Sequence, residues 1–174
     1  MQLISNEYRR LNEQLHKDVS EYGKSGQRNA KGVMNLAMSL STQDILDYGC
    51  GKSTLAKNLP FLIRQYDPAI PKYNELPEPA EIVVCTDVLE HIEPDCIDNV
   101  LAHLQKLTKQ AGYFTIATRP AKKTLADGRN AHLIVEPAIW WLNKLAPLFT
   151  IVNFQQHKGE CLVIVKPLEE IVNA

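Results

Sequence analysis

Three carboxylates in this chain each stand at the end of, or directly after, a segment that reads as a strand, and each has a different neighbourhood. Asp47 lies in Ile45-Leu46-Asp47-Tyr48-Gly49-Cys50-Gly51-Lys52-Ser53. Glycines just beyond a strand let a ligand approach the backbone, because no Cβ stands in the way. If a helix opens at Ser53, its first N–H groups add donors and partial positive charge. The chemistry implied is retention of a polar, nucleoside-like ligand. Asp67 follows Phe61-Leu62-Ile63-Arg64-Gln65-Tyr66 and stands 16 residues after Gly51. Its two oxygens can accept hydrogen bonds from both hydroxyls of a ribose. Asp87 opens Asp87-Val88-Leu89-Glu90-His91-Ile92, directly after Glu81-Ile82-Val83-Val84-Cys85-Thr86. Two histidines, His91 and His132, are candidates for proton transfer.

The glycine stretch admits several readings. Gly51-Lys52-Ser53-Thr54 resembles the end of a phosphate-binding P-loop, but Leu46 occupies the position of that motif's first glycine. A dinucleotide fingerprint would place its third glycine at Thr54. A tight strand-to-helix turn with no ligand is the bland alternative.

The elements that must carry these residues can be read in order. Tyr8, Leu11, Leu15 and Tyr22 recur at helical spacing within 4–22, on a helix that either packs on the domain or covers a ligand. A polar loop over 22–27 leads to a second helix with Val33, Leu36, Ala37 and Leu40 on one face. Helix is expected from Ser53 to about Asn58, with Ser53 at its N-cap and Pro60 ending it. Pro68, Pro71, Pro77 and Pro79 exclude an ordinary helical crossover over 68–81.

Ile97, Val100, Leu101, Leu104 and Leu107 line one face of the next helix, which Gly112 should stop. Tyr113–Thr118 reads as a strand, Arg119–Asn130 as a polar loop, and Pro137 as the first turn of a helix through Trp140, Trp141 and Leu145. Phe149–Phe154 and Cys161–Val165 read as two final strands joined by a turn at Gly159. The expectation is an α/β, Rossmann-like fold: a mainly parallel sheet, helices on both faces and a C-terminal antiparallel hairpin. Ligands bind such sheets beyond the strand carboxyl ends, so the loops carrying Gly49, Asp67, Asp87 and Arg119 should meet on one rim.

Composition sets the bounds. A chain of 174 residues with 45% hydrophobic content reads as one domain, 1–174. A formal net charge of −1 gives no global attraction to nucleic acid. No apolar run could span a membrane, and residues 1–7 lack a secretory pattern. Cys50, Cys85, Cys96 and Cys161 form no Cys-x-x-Cys pair, so reduced thiols and a cytoplasmic location are expected, with no metal site.

Taken together, Asp47-x-Gly49-x-Gly51, Asp67 and the Asp87-Val88-Leu89-Glu90-His91-Ile92 segment resemble class I S-adenosylmethionine (SAM)-dependent methyltransferases. The likeness runs from about residue 45 to 167, with 1–43 as a helical cap and 44–167 as the SAM-binding core. In that family Asp47 would brace the loop, and Gly49, Cys50 and Gly51 would carry the amino-acid end of SAM. Asp67 would hold the ribose, Thr86, Asp87 and His91 would flank the methionine portion, and Leu76 would touch the adenine. Apart from the resemblance, His132 is the candidate base, and Arg119, which directly follows a strand and precedes Pro120, is the candidate on the acceptor side. Two departures stand out: six strands rather than seven, the third (edge) strand being absent, and no insertion to form an acceptor site.

The resemblance implies a methyltransferase acting on a small molecule, with nucleic-acid and protein acceptors still open. Asn/Asp-Pro-Pro-Tyr/Phe, typical of DNA amino-methyltransferases, is replaced by Thr86-Asp87-Val88-Leu89. The alternatives are a SAM-binding protein without methyl transfer (a sensor, an inactive subunit or another SAM-consuming enzyme) and a nucleotide- or NAD-binding oxidoreductase.

Overall fold

The computed structural model describes residues 2–19 and 26–168. Four helices, α1 (Asn6–Asp18), α2 (Gly26–Ser39), α3 (Ile97–Leu107) and α4 (Ala138–Leu145), surround one sheet. Its strands are β1 (Ile45–Tyr48), β2 (Arg64–Tyr66), β3 (Ala80–Thr86), β4 (Thr108–Ala117), β5 (Phe149–His157) and β6 (Glu160–Pro167). The six strands lie in the order β2-β1-β3-β4-β6-β5. The first four in that order pair in parallel, and β6 joins β4 and β5 antiparallel. Mixed α/β class, strand count and C-terminal hairpin all follow the expectation.

The two-residue alternation of strands divides the core. Ile45, Ile82, Val84 and Tyr113 meet Ala30, Val33 and Ala37 of α2 on one face. Leu46, Val83, Cys85, Phe114 and Ile116 meet α3 and α4 on the other, with Trp141 fully buried there. The face predicted for α3 is buried throughout.

Several boundaries differ from the sequence reading. No α-helix follows the glycine loop: turns lead to one 3-10 turn, Ala56–Asn58. Only a few residues separate Ser53 from Pro60, too few to repay helix nucleation. Ser53 is no N-cap: it has φ 59°, and its hydroxyl donates to Tyr73 Oη at 3.1 Å. β2 begins at Arg64, not Phe61. α3 stops at Leu107, and Gly112 lies within β4, where a Cβ would strike Phe114 and Val165. The early start of β4 is held by polar pairs to β3, Gln110 Nε2 to Glu81 Oε2 at 2.7 Å and Lys109 to Glu81 at 3.7 Å.

The proline-rich span is irregular, as expected, with one 3-10 turn at Pro71–Tyr73. It is tied to β2 by Arg64, which donates to the Glu78 and Pro79 carbonyls. α2 starts at Gly26, inside the span expected as loop. Tyr22 and the rest of that loop through Ser25 lie outside the described residues. Among the described residues no helix is long and apolar enough to cross a membrane.

Candidate active site

Because β1, β2, β3 and β4 run parallel, the residues after each emerge on one rim. There they enclose a cavity of about 490 Å³, within the size range of small-molecule sites. Asp47, Gly49, Cys50, Gly51, Asp67, Thr86, Asp87, His91, Arg119 and His132 all line it. Leu76 does not: it is 71% exposed, and Pro68 and Ala69 line the cavity instead.

The glycine loop is braced from below. Gly49 N and Cys50 N both donate to the Tyr66 carbonyl, at 2.7 and 3.0 Å, and Gly51 N donates to Asp67 Oδ2 at 3.0 Å. Asp67 Oδ1 accepts from Ala69 N at 2.9 Å. Asp67, not Asp47, therefore braces the loop, and both its oxygens already hold backbone N–H groups. Gly49 has φ 77°, and a Cβ there would lie 2.4 Å from Val88 Cγ2. The glycine is required by the packing of the loop on the Asp87–Ile92 segment. Asp87 itself has φ 62°, a costly backbone state of the kind that collects at functional sites.

The cavity's acids are perturbed by burial. Burial, then the charge of Asp67, raises Asp47 to about 7. Burial also raises Asp67, partly offset by His16. Glu90 is fully buried and lies well above the usual carboxylate range, through burial and then Asp87. Burial and the neighbouring His132 lower His91 to about 4. Burial pushes the Cys50 thiol well up, so it is no nucleophile.

The opposite wall comes from distant segments. Tyr8, Asn12 and His16 of α1 line the cavity, and the helix is anchored at both ends. Ser5 N donates to Glu93 Oε2 at 2.7 Å, Tyr8 Oη donates to the His91 carbonyl, and Lys52 Nζ reaches the Val19 carbonyl at 2.8 Å. Tyr8 and Leu15 also pack on Leu125 and Ala131. Both sequence readings of this helix describe one structure, since it packs on the domain and walls the cavity.

Arg119, Lys122 and Lys123 reach the cavity. Arg129 is instead held by Asp127 at 2.6 Å and lies over the Tyr8 ring. Sequence reasoning missed Arg28, which lines the cavity from α2 and pairs with Glu160 at 3.0 Å and Asp87 at 3.6 Å. His91 and His132 stand edge to face with centroids 4.7 Å apart. Their Nδ1 atoms lie 2.7 and 2.6 Å from the Ala131 and Arg119 carbonyls.

No family model and no curated protein matches the chain. Solved structures do. The 1,6-didemethyltoxoflavin-N1-methyltransferase of Burkholderia thailandensis, with 1,6-didemethyltoxoflavin and S-adenosylhomocysteine bound, superposes with TM-score 0.65 at 17% identity over 97% of this chain and 93% of that one. The N-methyltransferase NodS of Bradyrhizobium japonicum, with S-adenosylhomocysteine, gives 0.60 at 16% identity over 95% and 100%. An rRNA methylase of Escherichia coli gives 0.56 at 15% identity over 95% and 78%. At these identities the likeness is one of fold: the chain has the Rossmann-like methyltransferase fold.

Proposed function

We propose that this chain is a SAM-dependent methyltransferase whose acceptor is a small molecule. The observation that carries the reading is the chemistry of the cradle. The amides of Gly49, Cys50 and Gly51 are spent on Tyr66 and Asp67, so they are not arrayed for a phosphate. Carboxylates of Asp47, Asp67, Asp87 and Glu93 line the same cavity. That set suits a cationic ligand and disfavours ATP or NAD, whose phosphates would meet buried acids.

SAM would supply a methyl group already activated on a sulfonium centre. The chain's own residues would bind and orient. Asp47 faces the ammonium of the amino-acid end, and ionises fully beside that charge. Asp67, with a lone pair left on each oxygen, accepts from the ribose hydroxyls. The αL turn at Asp87 holds Thr86 and Val88 against the ligand. His132, fixed through Nδ1 on the Arg119 carbonyl, stands on the acceptor side, and Arg119 receives the polar end of the acceptor. α1 walls one side of the cavity.

The fold neighbours act on different acceptors, and the small-molecule reading rests on the modest volume of this cavity, about 490 Å³, and on α1 walling one side of it. The test is incubation with methyl-labelled SAM and fractionated cell extract. Label should appear in a small-molecule fraction and disappear with Asp67→Ala. Label confined to RNA or protein would contradict the acceptor class, and label in no fraction, with SAM bound, would favour a binding protein.

A further inference from the structure

We propose that Glu90, His91 and His132 form a binding site for a divalent transition-metal ion of the zinc class on the wall of this cavity. One ligand atom from each residue lies within 4.8 Å of the others. Ligands at 2.0–2.2 Å around a tetrahedral ion stand about 3.4 Å apart, so the trio closes on an ion with shifts of about 1 Å. Two histidines and one carboxylate are a donor set for zinc, iron(II) or cobalt(II) that leaves a coordination position open.

Three further features favour a metal. First, the Nδ1 of His91 and of His132 each meets a backbone carbonyl, at 2.7 and 2.6 Å. A carbonyl only accepts, so Nδ1 carries the proton and Nε2 carries the lone pair. That outer-shell bond fixes ring orientation and tautomer in metal-binding histidines. Second, Glu90 Oε1 accepts from Ala117 N at 2.8 Å, while Oε2 is buried beside the Asp87 carboxyl group. Two acids this close, one of them fully buried, leave a need for positive charge that a bound cation would meet. Third, the segments bearing the ligands are stitched together. Ile134 N donates to the Glu90 carbonyl at 3.0 Å, and Asn130 Oδ1 accepts from His132 N at 2.9 Å.

The site stands on these residues alone. The role given to the ion rests on the methyltransferase reading: a Lewis-acidic position beside Arg119, able to hold an oxygen or nitrogen of the acceptor.

The test is titration of the purified, metal-stripped full chain with Co²⁺ and, by calorimetry, with Zn²⁺. The expected result is one saturable site whose cobalt spectrum shows nitrogen and oxygen ligation and no thiolate charge-transfer band. His132→Ala and Glu90→Gln should each weaken Zn²⁺ binding by more than about 100-fold, beyond the 10–100-fold loss typical of an outer-shell partner. Absence of saturable binding, a thiolate band, or unchanged affinity in both variants would overturn the site. Should the variants fail to fold, the cobalt spectrum of the unaltered chain decides alone. S-adenosylhomocysteine binding is measured separately on the metal-stripped chain. Metal binding without it would sink the methyltransferase reading and keep the site, and the reverse would sink the site alone.

Discussion

The two walls of the cavity are built on different principles. The glycine-loop wall is local: one stretch of chain, held by backbone hydrogen bonds to the end of the neighbouring strand and to Asp67. The α1 wall is assembled from segments far apart in sequence, through single side-chain ties such as Tyr8 to His91 and Lys52 to Val19. The first wall leaves little room for a change of shape, since a Cβ at Gly49 would meet Val88. The second is held by separate ties, so the loss of one should leave the others in place.

The sharpest way to break this contrast is at Gly49. Gly49→Val puts a branched side chain at φ 77° with its Cβ about on top of Val88. A loss of about 3–5 kcal/mol is expected from backbone strain plus overpacking, read by urea denaturation. A stable, fully ligand-competent variant would show that the loop is as adaptable as the opposite wall.

Asp67→Ala comes next. It removes the acceptor of Gly51 N and Ala69 N, and should cost about 2–3 kcal/mol in stability together with a loss of SAM affinity. Full stability with lost affinity would make Asp67 a ligand contact only.

Asp47 gives a pH signature. It is raised to about 7 in the fold against about 4 in an unfolded chain. Between those values the folded state binds the extra proton, so stability should fall as pH rises from about 4 to about 7. Affinity for SAM should move the other way, rising as Asp47 ionises through neutrality. Asp47→Asn should flatten both trends, and a variant that retains them would assign the titration elsewhere.

The smallest effect belongs to the other wall. Tyr8→Phe deletes one hydrogen bond to the His91 carbonyl and should cost about 1 kcal/mol, with SAM affinity nearly unchanged. A collapse of SAM affinity would erase the distinction between the walls.

The same difference governed what could be read from the sequence. Asp47, Gly49, Asp67 and Asp87 each follow a strand directly, so parallel topology alone brings them to one rim. The α3 face was legible for the same reason, a long periodic run. The helix after the loop was not, because a glycine turn before Pro60 carries a helix signature without the length to form one. The role of α1 was half legible. Asn12 lies one turn from Tyr8, on the buried side of an otherwise apolar face, and a buried polar residue there marks a cavity wall. Arg28 left no such signal, since its partners Asp87 and Glu160 are far away in sequence. The Glu90–His91–His132 cluster was missed because no metal-ligand spacing joins residues 90 and 132. The fold alone brings them together.

Calorimetric titration of the unaltered chain with S-adenosylhomocysteine, ATP and NADH tests the central claim most directly. A cradle with spent amides and buried carboxylates predicts one saturable site for S-adenosylhomocysteine and none for either phosphate ligand. Binding of NADH or ATP, with none of S-adenosylhomocysteine, would contradict it.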